Sequence, residues 1–542
     1  MKNLSSNSLL LTPFLLLAVS SGLAGEDATA LDKLLDRIVE RERTFVKKLS
    51  TRTPLVETYI QESAGPESGR DRDHYFLGRL NFTESERYIP IAARSDAPKS
   101  PWRLALAKRA IIFSPNGFAE MIFVDPENFS RKDYSFDYVR REFTGGIRCI
   151  VFDLAPTDKK APGRFIGRIW VEEHDLQIVR LNGTYSRSST AKLYFHFDSW
   201  RLAASSGEWV PALVYVEEAA DDEKRKSAPS FKAQTRLWGY NSGRAARLDE
   251  LTSLAVELET PARQEDNPDD RSPLESQRSW ERQAEANIID RLEKAGLLAV
   301  KGPVDQVLDT VINNFLATSN LNVEVRCRVM LTTPLETFSV GRTIVISRGL
   351  IDVLPDEASL AMVLAEELAH IALGHRINTQ FAFRNQTMFS DEDLLQRFRF
   401  SRKPEEIEAA GVKAVEILGK SPYQAKLGNA GLFLKALASR APRYPNLIRA
   451  NIGNRLADDG SIPRMSSLLS QAPQFEDTSL EQIAALPLGS RVKLDPWTGT
   501  ITLMKAKPVS LLSAREKLLF EVTPFAPNLA RTDNHSESAG SQ

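Results

Sequence analysis

The chain has 542 residues, 42% hydrophobic and 26% charged, which is ordinary globular protein with room for three or more domains. Its 70 Lys and Arg against 71 Asp and Glu leave a net charge of −1, which excludes the basic footprint of a dedicated nucleic-acid binder. Two cysteines, Cys149 and Cys327, are too few for a disulfide framework and are expected as free, buried thiols.

Residues 1–24 begin with Lys2, continue through an apolar run from Leu9 to Val19 and end on the small residues Gly22-Leu23-Ala24, the pattern of a secretory signal peptide. The run falls short of the roughly 20 residues a spanning helix needs, and no later stretch reaches that length. No cysteine follows it to carry a lipid anchor. The expectation is an exported protein, most simply periplasmic.

Residues 31–49 place Leu31, Leu34, Leu35, Ile38, Phe45 and Leu49 near helical spacing, and residues 54–60 read as a strand. From Tyr75 to Tyr240 the pattern changes to short β-like runs at 164–172, 177–185, 191–200, 209–216 and 231–240, with turns at 173–175 and 205–208. Such close spacing predicts an antiparallel meander, a curved β domain over residues 27–258. The charged, Pro-containing stretch 263–273 reads as linker, within boundaries of 259–279. Helices are expected over 280–298, 304–316 and 427–437. Residues 451–533 form a C-terminal region with strand-like pieces SRVKLDP and GTITLMKA, and 534–542 is a polar tail expected to be disordered.

The chemistry concentrates in residues 360–375, LAMVLAEELAHIALGH. Glu366 and His370 are four residues apart, so both side chains point to one side of a helix and could grip a metal there. Apolar residues surround them on nearly every side, which describes a buried helix. Burying the adjacent Glu366 and Glu367 costs several kcal/mol unless a cation, a proton or an arginine compensates. A Glu-Glu pair is commonly a solvated face and a lone His a satisfied core residue. Yet only six His occur in the chain, and His370 and His375 share this stretch. His375 falls about 140° round the helix from His370 and reads as structural. Glu367-x-x-His370 is also half of a di-iron motif, but no second copy exists.

Asn322-Val-Glu-Val, then the run from Phe338 to Ile351 (FSVGRTIVISRGLI), then this helix, resemble metallopeptidase family 48, which includes CAAX prenyl proteases and periplasmic quality-control proteases. The resemblance implies a mainly helical, zincin-like domain over residues 280–450 and one Zn²⁺ per chain. Glu366 stands where the family has the first His of His-Glu-x-x-His, and His370 matches the second. Glu406, in Glu406-Ile407-Glu408-Ala409-Ala410, matches the Glu of a Glu-x-x-Ala-Asp motif that supplies the third ligand. Glu367 matches the general base, and Tyr444 is assigned to oxyanion stabilisation. Three departures touch the chemistry: Glu366 replaces His, Ala410 replaces Asp, and Tyr444-Pro445 stands where relatives have His-Pro. Two carboxylates and an imidazole would neutralise zinc and hold the pKa of its water above about 7. Loss of a partner orienting a ligand commonly costs about 10 to 100-fold in affinity or activity. The run IWVEEHDLQIVRLNG more faintly resembles the half-barrel of periplasmic lipoprotein carriers, which implies a groove for an acyl chain or extended peptide. The plainer alternative is a scaffold sheet packed on the peptidase-like domain.

The sequence therefore predicts a multidomain α+β protein. Its functional reading is an exported zinc metalloendopeptidase acting on polypeptides, in envelope quality control. The alternative is an inactive pseudoprotease that holds peptide by β-addition to the strand at 342–347. A lipid or lipoprotein carrier is the third reading.

Overall fold

A computed structural model describes residues 21–63, 71–82, 88–95, 113, 118–186, 195–204, 207–218, 230–241, 272–379, 382–383, 395–448, 453, 456, 465–476, 479, 481–489, 491–504 and 520–531. Residues 1–20, most of the expected linker and the polar tail lie outside them. Gly22-Leu23-Ala24 falls at the start of helix α1 (Ser21–Leu49). Among the described residues no helix is long and apolar enough to cross a membrane.

Ten strands form one antiparallel sheet: β1 (Leu55–Ser63), β2 (Arg72–Leu80), β3 (Tyr88–Ser95), β4 (Tyr134–Thr144), β5 (Ile147–Pro156), β6 (Phe165–Glu172), β7 (Ile178–Tyr185), β8 (Phe195–Ala203), β9 (Trp209–Glu218) and β10 (Ser230–Trp238). Their order is β3-β2-β1-β10-β9-β8-β7-β6-β5-β4, so the expected meander is present and the early strands join it by pairing β1 with β10.

Both faces of the sheet are covered. Along β1 successive side chains alternate, Val56 and Ile60 entering one apolar cluster, Leu55 and Tyr59 the other. The first cluster packs α1, through Leu35, Ile38, Val39, Phe45 and Leu49, together with Phe118, Phe123 and Phe129. A buried ion pair pins this helix. Both terminal nitrogens of Arg201 donate to the Glu42 carboxylate at 2.7 Å, and its guanidinium lies 3.8 Å over the Phe45 ring. α1 and these aromatics thus cover this face of the sheet.

The second face packs on the helical half: α2 (Pro273–Lys294), α3 (Pro303–Ser319), α4 (Arg348–Val353), α5 (Glu357–Ala372), α6 (Pro404–Gly419), α7 (Leu427–Arg440) and α8 (Pro445–Ile448). α2 starts inside the expected linker, because Ser272 caps it by accepting from the Glu275 N–H and Pro273 suits the first helical position.

Polar joints fix the two halves together. On the face of β1 between Leu55 and Tyr59 stands Glu57, which accepts from Arg348 at 3.0 Å, from the Thr333 hydroxyl at 2.7 Å and from Tyr75 at 3.0 Å. Arg348 also pairs with Asp352 at 3.1 Å, and Asp352 takes the backbone N–H groups of Gly489, Arg491 and Val492. Asp73 of β2 accepts from the N–H groups of Asn446 and Leu447 at the start of α8. The two strand-like pieces are strands β14 (Val492–Leu494) and β15 (Ile501–Leu503), which pair with each other antiparallel. Cys149 and Cys327 are free and buried, also as expected.

Candidate functional site

A small sheet supports the site. β11 (Arg326–Met330), β12 (Thr337–Val340) and β13 (Thr343–Ser347) lie in the order β11-β13-β12, with β13 parallel to β11 and antiparallel to β12. This overturns the expected β-addition at residues 342–347. That strand is central, and its backbone groups are already paired on both sides. The edge strand β12 is met by the chain's own groups, with Arg402 bonded to the Ser339 carbonyl and Gly453 lying close against Thr337.

α5 follows after Asp356, whose side chain caps it by accepting from the Ser359 N–H at 2.8 Å. Its buried side chains include Glu366 at 4% exposure and Glu367 and His370 at 0%. The helix ends at Ala372 in a Schellman turn: Gly374 adopts φ +71°, its N–H bonds the Ile371 carbonyl, and the His375 N–H bonds the His370 carbonyl. This turn folds the chain back and sets His375 against His370, Nδ1 to Nδ1 at 2.8 Å. Helical-wheel arithmetic separates these rings by about 140°, but it does not apply once the helix has ended. Gly374 was the signal in the sequence.

Glu367 accepts a 2.6 Å hydrogen bond from the Thr337 hydroxyl of β12. α6, which packs on α5, opens on Pro404 with Glu406 in its first turn. The half-buried Glu406 carboxylate accepts from the Lys403 N–H at 3.2 Å, closing the helix start. Ala410 is a fully buried methyl group. Next to Lys403 is Arg402, 8% exposed, which donates to both the carbonyl and the hydroxyl of Ser339. Burial lowers the Arg402 pKa, and the charges of Glu367, Glu406 and Glu285 oppose that shift.

Tyr444 lies at the junction with the large sheet. Burial pushes its phenol up to about 12, and the charges acting on it are those of Arg443, Asp71, Glu521 and Arg440. None belongs to α5.

Among the described residues no three His, Cys, Asp or Glu side chains stand where they could share a metal ion. Glu366 and His370 are buried on one helix, but Glu406 is engaged at the start of another. The donor set also carries one imidazole where the family has two. On geometry and on chemistry the residues present do not fit a zinc site.

In the chain a strand, β13, a short helix, α4, and then the long buried helix α5 follow one another. Residues 306–404 match the family model of Peptidase family M48, a span that includes Glu366, Glu367 and His370 and stops short of Glu406. No curated protein sequence matches the chain. Among solved structures, a LolA superfamily protein from Nitrosomonas europaea is similar at 14% identity and TM-score 0.20, covering 38% of this chain and 90% of its own. A DUF1329 family protein from Desulfovibrio piger is similar at 12% identity and TM-score 0.23, covering 39% and 93%.

Proposed function

We propose that this chain is an exported, catalytically silent relative of the M48 metallopeptidases that binds polypeptide clients instead of hydrolysing them. The observation that carries the reading is the unassembled ligand set: Glu406 closes a helix start, and Glu366 stands where an imidazole is needed. Client contact through a strand edge is not available at β13, and β4, at the end of the large sheet, is guarded by a bulge near Val139 and by Arg140 and Arg141. Side-chain contact suits β4 better, because its Tyr138 and Phe143 are 56% and 73% exposed. Export is supported by the N-terminal sequence pattern.

The second reading, a working zinc endopeptidase, has one observation in its favour. His375 holds Nδ1 of His370, and a metal-bound imidazole usually has its other ring nitrogen held in that way. Incubating the full chain with an unfolded polypeptide and following both peptide release and aggregation separates the two. The expected result is slowed aggregation, weakened by Phe143→Asp, with no new peptides. Chelator-sensitive cleavage that Glu367→Gln abolishes would overturn the proposal.

A further inference from the structure

We infer that Arg402 is a built-in counter-ion that stands in this site in place of the metal. The inference deepens the non-hydrolytic reading and rests on it.

The geometry comes from β12. Side chains two residues apart on a strand lie on one face, about 7 Å from each other. Thr337 and Ser339 are such a pair. The Thr337 hydroxyl holds Glu367 at 2.6 Å, and the Ser339 hydroxyl and carbonyl hold Arg402 Nη2 at 3.1 and 3.2 Å. One face of a four-residue strand therefore sets the carboxylate and the guanidinium side by side. The chain itself adds Glu406, whose carboxylate closes on the N–H of Lys403, the residue after Arg402. Glu285 of α2 supplies a third negative charge acting on the same guanidinium. The two carboxylates expected as general base and third zinc ligand thus share one cation of the chain's own.

This answers the demand for a counter-charge that the sequence makes at Glu367. A guanidinium stays charged at every physiological pH, and it is tethered, so it cannot be exchanged or chelated away. A divalent ion entering beside it would meet a fixed positive charge next to the fully buried Glu367 and His370, where Coulomb repulsion is less screened than in water. Restoring the missing imidazole alone therefore does not restore a metal site.

Zinc retained per chain after loading and desalting tests this, measured by metal mass spectrometry on the full-length protein. The wild type and Glu366→His are expected to retain none above background. Glu366→His combined with Arg402→Met is expected to retain at least about tenfold more, while Glu366→His with Arg402→Lys, which keeps the charge, stays at background. Near-ultraviolet circular dichroism confirms folding, and Arg402→Gln replaces Arg402→Met if the latter unfolds. Zinc held equally by Glu366→His alone, or by the Arg402→Lys combination, overturns the role of Arg402 and leaves the non-hydrolytic reading standing. The same holds if the folded Arg402→Met and Arg402→Gln combinations both stay at background. Zinc held by the wild type overturns both.

Discussion

Two buried charged clusters can be set side by side, the junction around Arg348 and the site around Arg402. At the junction Arg348 is fully buried, paired with Glu57 and Asp352, and Asp352 is filled by three backbone donors. At the site Arg402 keeps 8% exposure and Glu406 is half-buried at a helix start. Water is excluded from the first and touches the second. The junction serves the register between the two halves, whereas the site keeps contact with solvent at Arg402 and Glu406.

The comparison breaks most sharply at Arg348. Arg348→Met strands two buried carboxylates and is expected to cost about 3–5 kcal/mol in urea unfolding. Arg402→Met is expected to cost less, about 1–3 kcal/mol, because Glu406 can turn to water. If the two losses prove equal, the site is as closed as the junction. Thr337→Val removes one hydrogen bond to a buried carboxylate, with an expected loss of about 1.5–3 kcal/mol by the same measurement. Gly374→Ala meets open space but a φ of +71°, so about 1 kcal/mol is expected from backbone strain alone.

Tyr444→Phe should have the smallest effect near neutral pH. Its phenol has a pKa of about 12 in the folded chain against 10.0 for an ordinary tyrosine. The unfolded chain therefore loses this proton first, and the stability tied to it is complete below pH 10 and is lost as pH rises from 10 towards 12. Tyr444→Phe should flatten that part of the alkaline denaturation curve.

Alternating β-branched and aromatic residues between turn signals made β6, β7, β9 and β10 readable with ends within a residue or two. The pairing of Leu55 with Trp238 was not readable, because register between strands so far apart in the chain is set by packing and leaves no local pattern. The same is true of Glu42 with Arg201, two ordinary surface-looking residues that meet in a dry core. At the site, periodicity placed Glu366, Glu367 and His370 inside a buried helix, and burial of Glu367 called for a counter-charge. That Arg402 supplies it depends on how β12 and the turn before α6 approach each other, which the one-dimensional pattern does not contain. Glu406 shows the converse: its match to a ligand motif was legible, but a Glu in the first turn of a helix is also well placed to close that helix.

The side-chain amide of Gln61, on β1, donates to the Phe520 carbonyl and accepts from the Val522 N–H. One of the earliest strands to leave the ribosome thus waits for partners made more than four hundred residues later, and Asp352 waits 137 to 140 residues for Gly489 and Val492. A chain released before Phe520 lacks both of these Gln61 partners, and one released before Gly489 lacks the backbone donors of Asp352 as well. The seam between β1 and residues 520–522 therefore closes only after nearly all of these 542 residues have been made.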